Sequence, residues 1–160
     1  MPEAERPKFP EVYGIHADEE GLLDWSWVEE RLVSARNYWV TTVRPDRSPH
    51  AMPVWGLWHA AAFYFSSSPD SRKGKNLAAN PAVTVNLESG DEVVVVEGTA
   101  GYESDEHLLR RLGEGYSRKY SFDVSFTGGR PLYVVRPRVV YAWVEQDFPK
   151  TATRFTFPAH

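Results

Sequence analysis

The sequence contains no cysteine. That removes disulfide frameworks, thiolate zinc sites, iron–sulfur ligation and cysteine nucleophiles together, and it points weakly to the cytoplasm. Long apolar runs are missing too. The longest aliphatic stretch is Val93–Val96, against the roughly 18 residues a membrane span requires. Met1–Pro10 is charged and proline-bearing, unlike a secretory signal. Nor is there an excess of positive charge: 18 Lys+Arg against 22 Asp+Glu leave a net charge of −4, which argues against a general nucleic-acid binder. No HExxH, GxSxG or Walker loop is visible, and no internal repeat, low-complexity tract or interdomain linker. The expectation is a soluble, cytoplasmic protein with neither nucleic acid nor membrane as partner.

What is present fits one domain. A chain of 160 residues buries roughly 68–70% of the surface its unfolded form exposes, enough for a core without a metal or disulfide staple. Six Trp, eight Tyr and eight Phe either fill a β-rich core or supply rigid contact area at a ligand pocket or subunit interface.

Residues 1–23, broken by Pro2, Pro7, Pro10, Gly14 and Gly21, read as an irregular arm: packed over the domain, packed over a partner subunit, or a disordered tail. Residues 24–160 read as a single domain. Ser26 and Glu29 have capping-box spacing ahead of Val28, Leu32 and Ala35, so a helix is expected over 26–36. Tyr38–Val43, His50–Trp58 and Ala62–Ser66 follow as strands joined by short turns, an antiparallel meander. Pro53 cannot donate to a ladder, which places its strand at an edge or a bulge. A short helix over Asp70–Ala79 ends at Asn80-Pro81, and strands Ala82–Leu87 and Glu92–Tyr102 follow, with a bend at Gly98. Leu108, Leu112, Tyr116 and Tyr120 mark a helix over 105–120, weakened by Gly113 and Gly115. After a loop at Ser125–Arg130 come strands Leu132–Val135 and Val139–Val144, separated by Pro137, and a last one within Thr151–Phe157. The fold class is therefore mainly β: an antiparallel, closed or nearly closed barrel of six or seven strands with flanking helices, with a β-sandwich as the alternative.

Chemistry concentrates at Ser66-Ser67-Ser68-Pro69-Asp70-Ser71-Arg72-Lys73-Gly74-Lys75-Asn76. Arg72, Lys73 and Lys75 fall in the first turn of a helix, where the macrodipole is positive and each cation is disfavoured by about 0.3–1 kcal/mol. Free N–H groups at that end donate to anions, and a phosphate would turn the repulsion into charge-assisted hydrogen bonds. Ser66, Ser67 and Ser71 add hydroxyls. The competing reading is an ordinary solvated helix start.

The order YWVTTVRPDRSPHAMPVWGLW, AFYFSSSPDSRKGKNLAANPAVTVNL, EVVVVEGTA resembles the pyridoxamine-phosphate-oxidase-like family over roughly residues 26–103. That family includes enzymes using FMN and relatives using the deazaflavin coenzyme F420. The resemblance implies an FMN-binding split barrel, normally a homodimer with two sites at its interface. It implies that Ser71, Arg72 and Lys73 grip the cofactor phosphate, with Ser66 or Ser67 as a hydroxyl contact and Lys75 and Asn76 assisting. Met52, Pro53, Val54 and Trp55 would run along the flavin ring, mainly by backbone. Trp143, Arg154 or Phe155 would complete the partner's site.

Two departures narrow the reaction. Val93 stands where the oxidase proper has a glutamine, and Tyr141–His160 lacks its C-terminal Arg-Leu-His signature, so vitamin B6 oxidation is not expected. The expected function is hydride transfer between FMN or F420 and a small organic substrate; the alternatives are a non-catalytic flavin or haem carrier and a lipocalin-like barrel for apolar ligands. Side chains offer little catalytic machinery, as befits a cofactor that carries the hydride itself. His50 is either a proton donor or a structural histidine. Glu97 has a raised pKa if buried and an ordinary one at a barrel rim.

Overall fold

The computed structural model describes residues 1–159; His160 lies outside the described residues. In chain order the elements are β1 (Glu3–Glu5), α1 (Trp25–Ser34), β2 (Tyr38–Val43), β3 (Pro49–Val54), β4 (Leu57–His59), β5 (Ala62–Ser66), α2 (Arg72–Ala79), β6 (Ala82–Asn86), β7 (Glu92–Tyr102), α3 (Glu106–Tyr120), β8 (Leu132–Val144), α4 (Phe148–Thr151) and β9 (Thr153–Thr156). Short 3₁₀ turns occupy Glu11–Tyr13 and Glu145–Asp147. Among the described residues no helix is long and apolar enough to cross a membrane.

All pairings are antiparallel, in the order β1-β9-β8-β7-β6-β2-β3, with β5 joining β8 and β4 joining β5. The expected split barrel is found, with a sheet that stays open and nine strands instead of six or seven. The two extra strands are three residues each. β1 lies in the arm read as irregular and pairs Glu3–Glu5 with Thr156–Arg154. β4 arises because the extended segment 50–58 is interrupted at Trp55-Gly56: a Cβ at Gly56 would lie 2.3 Å from the Phe63 ring, so only glycine passes there.

The split originates in β8. Its first half pairs with β5 (Leu132 opposite Ser66), its second with β9 (Ala142 opposite Thr153), and β7 runs along the whole length. Pro137 does not divide β8 in two, as its missing N–H suggested. It stays paired opposite Gly98, and the register shift between Glu97 and Gly98 falls beside it: Glu97 faces Val139, so Arg138 is the residue the ladder skips. Pro53 behaves as read: β3 ends the sheet and pairs only with β2.

β5 explains how two apolar layers share one strand. Phe63 and Phe65 enter a core with Val28, Leu32, Tyr38, Val40, Val85, Val96 and Phe155. Ala62 and Tyr64 face a second cluster under α3, with Leu112, Tyr116, Tyr120 and Phe126. The glycines of α3 do not interrupt it. Gly113 faces the backbone of 124–126, where a Cβ would find ordinary van der Waals contact, the nearest atom at 3.4 Å. In α1, Asp24 and not Ser26 occupies the N-cap position, without a capping side-chain bond; Trp25, Val28 and Leu32 form the buried face.

A methyl group at Gly98 would lie 2.2 Å from the Arg136 carbonyl oxygen, whereas at Gly101 it meets nothing within 4 Å. Gly98→Ala is expected to lower stability by about 1–3 kcal/mol through overpacking, read as a depressed melting temperature. Gly101→Ala should unfold like the wild type.

Candidate functional site

β2 alternates cleanly. Tyr38, Val40 and Thr42 are buried, while Trp39, Thr41 and Val43 face outward. Thr42 is a hydroxyl in an inward, otherwise apolar row, and it needs a partner. Asn76 of α2 supplies it, donating from Nδ2 to Thr42 Oγ1 at 3.0 Å. Directly opposite Thr42 in the ladder is His50. Thr42, His50 and Asn76 are exposed by 0%, 8% and 1%. Three of the four buried polar residues among the described residues thus meet at one place, where α2 crosses the β2–β3 hairpin.

Around this polar knot the charge has one sign. Ser71 is the N-cap of α2, accepting the Gly74 N–H at 3.0 Å, so Arg72 and Lys73 are the first helical residues and no acidic residue joins them in the first turn. By position their N–H groups have no intrahelical acceptor. Arg72 Nε donates to Asn76 Oδ1 at 3.0 Å, tying the guanidinium to the same amide that holds Thr42. Arg44, at the hairpin end, spends its bonds on Ser48 Oγ and the Pro49 carbonyl. Among the described residues none of Arg44, Arg72, Lys73 or Lys75 makes an ion pair.

His50 registers the consequence. Burial, and then the charges of Arg44, Lys73 and Arg72, hold its pKa below the ordinary imidazole value. Its Nδ1 is buried with no hydrogen-bond partner among the described residues. A buried imidazole nitrogen without a partner is thus set among cations that have no counter-charge among the described residues. Lys73 is half-buried, and desolvation lowers its pKa as well.

The other candidate residues divide into groups. Ser71 Oγ is committed to capping, donating to the Ser68 carbonyl at 2.6 Å and lying 3.1 Å from Ser67 Oγ. Ser66 Oγ points to the Pro131 carbonyl at 3.4 Å, a long contact. Arg72 and Lys75 are exposed. Met52 and Pro53 are exposed on the edge strand, with Val54 and Trp55 half-buried behind them.

That edge strand is firmly terminated. Trp55 stacks on Tyr120 (centroids 4.6 Å apart). The Tyr120 hydroxyl accepts the Gly56 N–H at 2.9 Å and donates to the Arg36 carbonyl at 2.7 Å. Lys119 Nζ reaches Tyr38 Oη at 2.8 Å and the Gly56 carbonyl at 3.1 Å. Burial, then Arg36, brings the Lys119 pKa down to about 8.

Trp143 and Arg154 sit elsewhere in the chain. The row of Thr41 runs through Thr84 and Glu97 to Val139, four residues short of Trp143. That separation is about 14 Å across three strand steps and about 13 Å along the strand. Arg154 pairs with Glu5 in β1 and lies opposite Tyr141. Phe155 is buried in the core. Glu97 is half-buried at the bulge, 3.7 Å from Arg138. Sequence reasoning passed over Thr42; the signal available was a hydroxyl at an inward position of YWVTTV.

A family model for pyridoxamine 5'-phosphate oxidase matches residues 28–144. No curated protein sequence matches the chain. Several solved structures share its fold. An F420 reductase is 22% identical, covering 69% of this chain and 94% of its own, with a TM-score of 0.54. A conserved hypothetical protein from Mycobacterium tuberculosis is 20% identical, covering 91% and 94%, with a TM-score of 0.69. The haem storage protein HutZ from Vibrio cholerae is 16% identical, covering 71% and 86%, with a TM-score of 0.55.

Because the His50 pKa is depressed in the folded chain, the folded state binds fewer protons than the unfolded one below the ordinary imidazole value. The stability this contributes is complete above about pH 6.5 and is lost as the pH falls through the folded pKa. Denaturant unfolding of the ligand-free protein should therefore weaken between pH 7 and pH 5, and His50→Asn should flatten that slope. An unchanged slope would show that His50 does not titrate in this range.

Proposed function

The chain belongs to the pyridoxamine 5'-phosphate oxidase family, and on that footing we propose that it binds FMN or coenzyme F420 by the phosphate and serves as an oxidoreductase for a small organic substrate other than pyridoxamine phosphate. The observation that carries this reading is the set of unpaired cations around the partnerless Nδ1 of His50. A resident anion would accept from Arg72, Lys73 and the two free N–H groups at the start of α2, and Arg44 and Lys75 add positive potential.

The fit extends along β3. From His50 the edge strand runs on through Met52 and Pro53 to Val54, about 7–13 Å away. Only one of its sides is paired, so its main-chain groups and the exposed Met52 side chain are free to line a flat ring. The hub of Lys119, Tyr120 and Gly56 fixes where that strand ends. When bound, a flavin or deazaflavin supplies the hydride chemistry. The chain's own residues bind, orient and exclude water. His50 Nδ1 would accept a hydrogen bond when neutral; a nearby phosphate would raise its pKa and let it hold a proton there.

The reading includes a homodimer. The cation cluster is open to solvent in one chain, and the outward row Trp39, Asn86, Val95, Tyr141 offers a mostly apolar surface, with Trp39 37% exposed. Within one chain Trp143 and Arg154 are too far from Arg72 to share its ligand. Their part in the reading is to approach the site of the second subunit.

Titrating purified protein with FMN and with F420, and following flavin absorbance and fluorescence, tests the proposal. One of the two should bind, and Arg72→Ala should weaken it by about 1.5–3 kcal/mol, roughly ten- to hundredfold. Unchanged affinity in that variant would refute the phosphate assignment. A Soret band on adding haem, with no flavin binding, would favour a haem carrier.

A further inference from the structure

A mainly apolar cavity lies outside the cation cluster. It measures about 550 Å³ and is lined by Phe9, Pro10, Tyr13, Trp143, Glu145 and Phe148, a size typical of small-molecule sites, which run roughly 300–1,000 Å³. None of its lining residues belongs to the cation cluster, and Trp143 alone among them is shared with the proposed cofactor site of the second subunit.

Its walls are aromatic on several sides. Trp143 and Phe148 meet edge to face at 5.3 Å, and Phe9 lies 6.5 Å from Trp143 with its plane at 87°. Phe9 and Phe148 are nearly parallel at 6.4 Å, and Tyr13 stands edge-on to Phe148. These rings have not buried one another completely, since Phe9 is 36% and Tyr13 54% exposed. The N-terminal wall is tied down. Arg6 donates to the Asp18 and Glu20 carbonyls of the arm and to the Lys150 and Ala152 carbonyls beside α4. The His16 N–H bonds the Pro149 carbonyl at 2.9 Å.

Charge selects the occupant. Glu145 is the one ionisable carboxylate among the lining residues; it is exposed and forms no ion pair among the described residues. The two 3₁₀ turns flanking the cavity carry Glu11, Glu145 and Asp147 and no basic residue. Aromatic faces are the negative regions of their quadrupoles and attract cations. A neutral apolar ligand would gain the ring faces but not the carboxylate, and an anion would be repelled by both. The geometry points to a binding site for a small organic cation whose charge sits on an alkylated nitrogen, with Phe9, Tyr13, Trp143 and Phe148 enclosing the alkyl groups and Glu145 neutralising the charge at the rim.

Isothermal titration calorimetry on the full-length protein tests this with choline and its uncharged carbon isostere, 3,3-dimethylbutan-1-ol. Choline should bind at least about fivefold more tightly than the isostere, the range expected of cation–π attraction. Trp143→Leu should narrow the difference, and Glu145→Gln, on the exposed rim, should weaken choline severalfold while leaving the melting temperature unchanged. Arg72→Ala should leave choline binding intact, so failure here is separable from failure at the phosphate site. Equal affinity for choline and the isostere, no heat at millimolar choline, or wild-type choline binding by Glu145→Gln would each overturn the assignment.

Discussion

Arg72 and Lys73 stand on the first two residues of α2, where free N–H groups and the helix dipole already make the backbone positive. The surroundings hold them there instead of neutralising them. Ser71 caps the helix, so its start cannot slide along the chain. Asn76 bonds Thr42 with one end of its amide and Arg72 with the other, so the guanidinium is coupled to the barrel wall. Like charges gathered on a rigid frame raise the energy of the ligand-free state. An anion bound there would relieve that repulsion, which is the sense in which the proposed site is preorganised.

The fold makes the frame possible through its openness. β8 is shared among β5, β7 and β9, and the sheet ends at β3 instead of closing on itself. Two apolar clusters on opposite faces of β5 anchor the structure, so β3 can stay single-sided. Its end is fixed by side chains of α3: the Tyr120 hydroxyl and the Lys119 ammonium both converge on Gly56. Lys119 has no carboxylate within salt-bridge range among the described residues and lies over the rings of Tyr38 and Tyr120. The edge strand thus has fixed ends and an open flank, the combination that a ligand read by backbone contacts requires.

Much of this was legible in the residues. The alternation of YWVTTV, the punctuation at Asn80-Pro81 and the four-residue spacing from Leu108 to Tyr120 are local signals, and β2, α2 and α3 follow them closely. What could not be read depends on distant partners. Pro137 reads as a break until Gly98 is seen opposite it, with β8 carried past it by a register shift that leaves Arg138 unpaired. β1 has no pattern of its own and exists because β9 offers it an edge. At the site, the Ser-Arg-Lys run was visible as chemistry, but the part played by Thr42 and His50 was not. Their significance lies in sharing one rung of the β2–β3 ladder under Asn76, a fact of register and not of composition. Trp143, read as a contact to the partner's cofactor, also lines an aromatic cavity with Phe9 and Phe148 in its own chain.

The central claim is that this cation cluster is an anion site. Thermal unfolding of the ligand-free protein in increasing inorganic phosphate, against chloride matched for ionic strength, measures it most directly. A ligand that binds only the folded state raises stability by mass action, so the account predicts a melting temperature that climbs with phosphate in the wild type and much less in an Arg72→Ala, Lys73→Ala double variant. Identical melting in phosphate and chloride would contradict it.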